Sequence, residues 1–145
     1  MPYTKVYIHF VWSTKNREPY LKTLEIRQLV WKHIRENAIV KGIFIDFING
    51  YADHCHCLIS LGTNQKMSEI MQLIKGESSF WINKQHFIAD KFAWQDEYYA
   101  MGVSESMIDR TRNYIKNQEE HHRKVSYNNE CDEIISKYGF EKLHD

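Results

Sequence analysis

The order in which a two-residue and a helical periodicity alternate along this chain constrains its fold more than any other feature. From Tyr3 to Trp12, Val6, Ile8, Phe10 and Trp12 fall on one side and Tyr7, His9 and Val11 on the other, as in a strand with both faces in use. A polar run, Ser13-Thr14-Lys15-Asn16-Arg17-Glu18-Pro19, ends it in a loop stopped by proline. Between Leu24 and Val40 the residues Ile26, Leu29, Val30, His33, Ile34 and Ile39 recur at helical spacing, and Gly42 stands where a C-terminal cap belongs. Ile43 to Ile48 is rich in β-branched and aromatic residues, and Asn49-Gly50 predicts a hairpin turn with a third strand just beyond.

That third strand covers residues 54–61, with Cys55, Cys57, Ile59 and Leu61 on one face and His54, His56, Leu58 and Ser60 on the other. Ser68 is placed to cap a second helix reaching about Gln85 that carries Ile70, Met71, Ile74 and Phe80. Trp94 to Val103 reads as a loop entering a fourth strand, and Ser104, Met107 and Ile108 open a long final helix to about Lys124. The order βαββαβα predicts an α+β fold. Its core would be a ferredoxin-like split βαβ antiparallel sheet with helices on one face, plus a C-terminal helix.

A length of 145 residues fits one domain, expected over 1–127, followed by an acidic tail at 128–145. In that tail Ile134, Ile135, Tyr138 and Phe140 suggest a short helix or packed arm. An apolar fraction of 43% argues against disorder, no apolar run is long enough to span a bilayer, and a cytoplasmic address is the simplest expectation. Cys55, Cys57 and Cys131 are odd in number and lack C-x-x-C spacing, which disfavours a disulfide framework or zinc ribbon and predicts reduced, mostly buried thiols. The formal net charge is zero, but residues 1–41 carry eight Lys or Arg against three Glu, so a local basic face is permitted.

Two residue pairs carry candidate chemistry. His54 and His56 are two apart on a strand and point the same way, so both imidazoles can grip one ion. Tyr114 and Gln118 are four apart on a helix and lie one above the other. Each pattern is expected roughly 0.4 times by chance in a chain of this composition, so neither assigns a function alone. Gln118 lies within an apolar stripe, and a buried amide left unpaired costs ~1–3 kcal/mol, so it must find hydrogen bonds or a metal.

Taken together, several blocks settle more than either pair. Asp53-His54-Cys55-His56 and the helix Arg112-Asn113-Tyr114-Ile115-Lys116-Asn117-Gln118-Glu119-Glu120-His121-His122 resemble the HUH single-tyrosine transposases of small bacterial insertion sequences, including the REP-associated ones. Residues 8–19, 74–83 and 92–95 resemble the same family in the same order, so that the likeness spans about residues 3–127. The chain departs from the family at Glu97 and Tyr99, where glycines are frequent, and at Cys55, where a bulkier hydrophobe is common.

The resemblance implies a DNA-cleaving and strand-transferring enzyme with Tyr114 as nucleophile and His54, His56 and Gln118 as metal ligands. It implies a 5′-phosphotyrosine intermediate, a single-stranded, hairpin-bearing DNA substrate and a homodimer. Imidazole nitrogens and an amide oxygen are neutral, borderline-to-hard ligands that suit Mg²⁺ or Mn²⁺. Exchange of one phosphoester for another conserves bond energy, so no nucleotide cofactor is expected. Lys15, Arg17, Lys75, Trp81 and Trp94 are candidates for backbone and stacking contacts with DNA, although both tryptophans suit a core equally well. The rival reading is an inactive or domesticated single-strand-binding module of the same fold. A structural metal site using both thiols and both imidazoles is disfavoured, because strand alternation sends them to opposite faces.

Overall fold

The computed structural model describes residues 2–138. Four antiparallel strands form one sheet in the order β2-β3-β1-β4, with β1 at Tyr7–Ser13, β2 at Phe44–Tyr51, β3 at His54–Ser60 and β4 at Tyr99–Val103. Two long helices, α1 at Leu24–Val40 and α2 at Met67–Gln85, separate β1 from β2 and β3 from β4. This is the α+β split sheet expected from the periodicities. After β4 come α3 at Ile108–Lys116, the short α4 at Gln118–His121 and α5 at Tyr127–Tyr138.

The sheet separates two chemical environments. Phe10 and Trp12 of β1 join Cys55, Cys57 and Ile59 of β3 in one core with Val30, Ile34, Ile70 and Ile74 of α1 and α2. On the opposite face Leu58 packs with Ile108 and Ile115 of α3, and Val11 and Met101 pack with Tyr127, Cys131 and Ile134 of α5. Both faces of β1 and β3 are therefore covered, as their two-sided pattern requires. All three cysteines are free and buried.

Local chemistry explains the helix boundaries. Thr23 caps α1, its side chain accepting from the Ile26 amide at 3.2 Å, and Gly42 leaves the helix with φ of 72°, a conformation glycine adopts without steric cost. In α2 the capping position is Lys66 rather than Ser68, and no side chain caps it. The final helix is not continuous to Lys124, because Asn117 interrupts it with φ −94° and ψ 18°. β1 starts at Tyr7, since Tyr3 is fully exposed and Val6 is 44% exposed.

Asn49-Gly50 does not form the hairpin turn. Both residues lie inside β2, paired with His56 and Cys55, and Ala52 and Asp53 make the turn. A primed turn needs positive φ at its central residues, and among the described residues Gly42 is the only glycine with one. Gly50 serves close approach instead: a Cβ there would lie 2.2 Å from the His54 carbonyl oxygen and 3.0 Å from the Trp31 ring.

Two ion pairs fix the helices of the second face. Arg112 of α3 grips Asp46 of β2 with nitrogens at 2.7 and 2.9 Å, and Arg27 of α1 grips Glu119 of α4 at the same two distances. Arg27 is buried and also donates to the Leu21 carbonyl at 2.7 Å. Such bidentate forks fix direction as well as distance. Among the described residues no helix is long and apolar enough to cross a membrane.

Gly50→Ala forces backbone against backbone beside His54. It is expected to lower the unfolding free energy by about 1–3 kcal/mol or to displace the β2–β3 turn. Urea denaturation monitored by circular dichroism checks this.

Candidate active site

On the face of β3 away from the main core, His54 and His56 are both fully buried. Register places Val11 opposite His56 and Ser13 opposite His54, so the imidazoles stand on the central strand pair near the β2–β3 turn. Asp53, in the turn, lies 2.9 Å from Nδ1 of His54 and accepts its hydrogen bond. Nε2 faces inward, 3.0 Å from Oε1 of Gln118 and 3.5 Å from a carboxylate oxygen of Glu130. His56 is set differently. Its Nδ1 lies 2.8 Å from Nε2 of His9 on β1, and its Nε2 donates to Oε1 of Glu130 at 2.9 Å.

The helix partners arrive as their spacing requires. Tyr114 lies in the last turn of α3 and Gln118 begins α4, and the Gln118 amide nitrogen lies 3.4 Å from the Tyr114 carbonyl. The Tyr114 ring meets the His56 ring edge-on at 5.4 Å, and its hydroxyl donates to Oε2 of Glu130. Asn49 of β2 donates to the Lys116 carbonyl at 3.1 Å, which ties the end of α3 to the sheet beside the site. His54, His56, Tyr114 and Gln118 are thus brought together within one subunit.

Sequence reasoning missed the residue at the centre. Glu130 of α5 is fully buried and bridges His56 to Tyr114, with His122 at 3.3 Å and His121 at 3.2 Å from Oε2. Tyr127, one helical turn before Glu130, stacks on His54 at 4.3 Å with 18° between the ring planes. Nothing local marked Glu130, one of several acids in a tail that falls outside the family resemblance. His9 did carry a signal, because alternation in the first strand placed it on the face opposite Phe10. The suggested tail helix is present with Ile134 packed and Ile135 exposed, while Phe140 lies outside the described residues.

The suggested DNA contacts are scattered. Arg17 lies over the Tyr127 ring at 5.5 Å and donates to Asn128, so it borders the site, and Lys15 is exposed in the adjoining turn. Trp94 is buried in the core under the helices, donating to Ser78 at 2.9 Å. Trp81 stacks on His33 at 4.0 Å, and Lys75 donates to the Asp96 carbonyl at 2.9 Å. These three belong to the α2 layer rather than the histidine face.

Electrostatics follow from burial. Burial pushes His56 down to about 4 despite the opposing pull of Glu130, and pushes His9 well below its ordinary value with help from His56. Burial also pushes the Tyr114 phenol well above its ordinary range, reinforced by the charge and hydrogen bond of Glu130. For Glu130 burial acts upward, but hydrogen bonds from His122 and His56 outweigh it and hold the carboxyl well below the usual range.

This donor set fits a divalent cation. The ligand atoms of His54, His56, His122 and Glu130 all lie within 4.8 Å of one another. Nε2 of His54, Oε1 of Gln118 and a Glu130 oxygen converge there, the two oxygens 3.0 and 3.5 Å from that nitrogen, and Nε2 of His121 is buried without a hydrogen bond. Asp53 behind His54 is the carboxylate that commonly orients a metal-binding imidazole.

Two solved structures share this fold. One is a candidate transposase of Deinococcus radiodurans, 21% identical with a TM-score of 0.63, the match covering 81% of this chain and 93% of that one. The other is a REP-associated tyrosine transposase bound to a REP hairpin, 19% identical with a TM-score of 0.63, covering 86% of this chain and 73% of that one. No curated protein sequence matches significantly. The fold is therefore that of the tyrosine transposases. The family model described as "Transposase IS200 like" matches residues 2–118, and the chain belongs to that family.

His56 is held to about 4, below its ordinary 6.5, so below pH 6.5 the unfolded chain takes up a proton that the folded chain refuses. His9 acts in the same direction. Glu130, held low, begins to cost stability only at more acid pH, once unfolded carboxylates protonate. Metal-free protein is expected to lose roughly 1.4 kcal/mol per pH unit through His56 between pH 6.5 and 4.5. Urea titrations across that range check it, and a flat profile would mean that the rings are already protonated in the fold.

Proposed function

We propose that the protein is a metal-dependent transposase that cleaves and rejoins single-stranded DNA through a 5′-phosphotyrosine at Tyr114. The observation that carries this reading is the convergence of the Tyr114 hydroxyl, His54, His56 and Gln118 on the buried Glu130 carboxylate. Family membership supports the strand-transfer class. His54, His56 and Gln118 would hold Mg²⁺ or Mn²⁺, as the mixed nitrogen and oxygen donors favour. Such an ion, when bound, supplies charge stabilisation to the scissile phosphate.

The chain's own residues do the rest. Oη of Tyr114 forms the bond to phosphorus while the bond from phosphorus to the 3′ oxygen breaks. The phenol proton is transferred overall to the departing 3′ oxygen, leaving a free 3′-OH. Rejoining reverses the exchange with another 3′-OH and needs no external energy. Asp53 keeps His54 in the tautomer whose Nε2 faces inward. Lys15 and Arg17, beside the site, are proposed to hold the DNA backbone. A role for Lys75, Trp81 and Trp94 requires DNA to reach the α2 layer as well. The hairpin carried by the structural relative supports hairpin-bearing ends as substrate. The β4 edge, paired only with β1 among the described residues, is where a second copy would extend the sheet in the proposed homodimer.

Incubating the protein with hairpin-bearing single strands and Mg²⁺ or Mn²⁺ should yield a DNA adduct that survives denaturing electrophoresis. Tyr114→Phe is expected to reduce adduct formation by roughly a thousandfold or more. DNA binding without an adduct across metals and substrates would instead favour the inactive binding module. Asp53→Ala, which frees the His54 ring, is expected to weaken Mn²⁺ binding by about 10–100-fold in calorimetric titration.

A further inference from the structure

Helix α5 fills the site, yet the family match ends at Gln118, before α5 begins. Three of its contacts have the chemistry of a bound nucleotide. The Glu130 carboxylate offers two anionic oxygens, one to His56 and one to Tyr114 and His122, the donors that phosphate oxygens would meet. The Tyr127 ring lies nearly parallel on His54, as a stacked base would. The Arg17 guanidinium is engaged by Asn128 and the Tyr127 ring.

Beneath the helix, Val11, Tyr99 and Met101 form an apolar floor on the outer face of β1 and β4 that runs up to the histidines. Among the described residues, Tyr127, Cys131 and Ile134 of α5 pack on this floor. Geometry makes α5 and a substrate exclusive: attack requires phosphorus about 3–3.5 Å from the phenol oxygen. Oε2 of Glu130 already holds that place.

We propose that the surface beneath α5 is the seat of the single-stranded DNA, and that α5 lodges there as an internal substitute, with Glu130 for the scissile phosphate and Tyr127 for a flanking base. This rests on the reading of the protein as a single-strand transposase. Expelling α5 exchanges one anion for another, so the histidine cluster is never left facing an apolar void. It also frees Arg17 for the backbone. Once out, the helix, with Glu130, Asp132 and Glu133 against Lys137, is repelled by DNA and does not compete from the outside. A ligand that binds only the open arrangement must do the work of opening it, so wild-type affinity is lowered by the fraction of molecules that are open.

The test uses the full-length chain with Mn²⁺ and a fluorescein-labelled hairpin oligonucleotide bearing a single-stranded flank. Hydrogen exchange should show the amides of 127–134 exchanging faster when the DNA is added, while β1 becomes more protected. Equal or greater protection of 127–134 overturns the proposal. Ile134→Asp unseats the helix from Val11 and Met101 and is expected to raise DNA affinity by about tenfold or more in fluorescence anisotropy. Circular dichroism establishes that the variant is folded. Should it not fold, Asn128→Ala, an exposed change that releases Arg17, is expected to raise affinity by roughly threefold. Unchanged or weaker binding by a folded variant overturns the proposal. Tighter binding with no covalent adduct supports the DNA seat and overturns the cleavage reading. Equal binding and cutting by wild type and variants does the reverse.

Discussion

The alternation of side chains along β3 is the constraint on which the rest of the molecule depends. Hydrogen-bonded to β1 on one side and β2 on the other, the strand cannot shift its register without breaking two ladders. A slip of one residue would send the imidazoles into the apolar core and the thiols into the site. Cys55 and Cys57 accept the core side at little cost, being small and apolar in behaviour. Burial pushes both thiols well above their ordinary range, so they stay protonated and chemically quiet one backbone away from the histidines.

A buried carboxylate is tolerated opposite these histidines because His56, Tyr114 and His122 all donate to it. Removing one partner from such a cluster leaves an uncompensated charge, which is far more costly than never having built it. The helices that supply the partners are therefore held by directional contacts rather than by packing alone. Arg112–Asp46 fixes α3 against β2, and Arg27–Glu119 fixes α4 against α1. These two forks join the second layer to the sheet and to the first helix layer, and Tyr114 and Gln118 lie between their attachment points.

How far the sequence disclosed this arrangement depended on the range of the signal. His54 and His56 were legible because a two-residue repeat is a local property of one strand, and Tyr114 and Gln118 because a four-residue repeat is a local property of a helix. The resemblance to HUH transposases joined the two. Asn49-Gly50 misled because turn propensity is a weak preference, overridden here by the close approach of the His54 carbonyl and the Trp31 ring. The break at Asn117 carried no proline or glycine to announce it. Glu130 lies 74 residues from His56 along the chain, and no local pattern distinguishes it from the acids around it.

The interruption at Asn117 has a mechanical consequence. Tyr114 sits on the helix before it and Gln118 on the helix after it, so the proposed nucleophile and the proposed ligand are carried by two short rods joined at a single pivot. In a continuous helix, re-aiming the phenol would drag the amide with it. Here the two rods meet the rest of the fold separately, α3 through Arg112–Asp46 and α4 through Arg27–Glu119, so the aim of the phenol is set independently of the amide's.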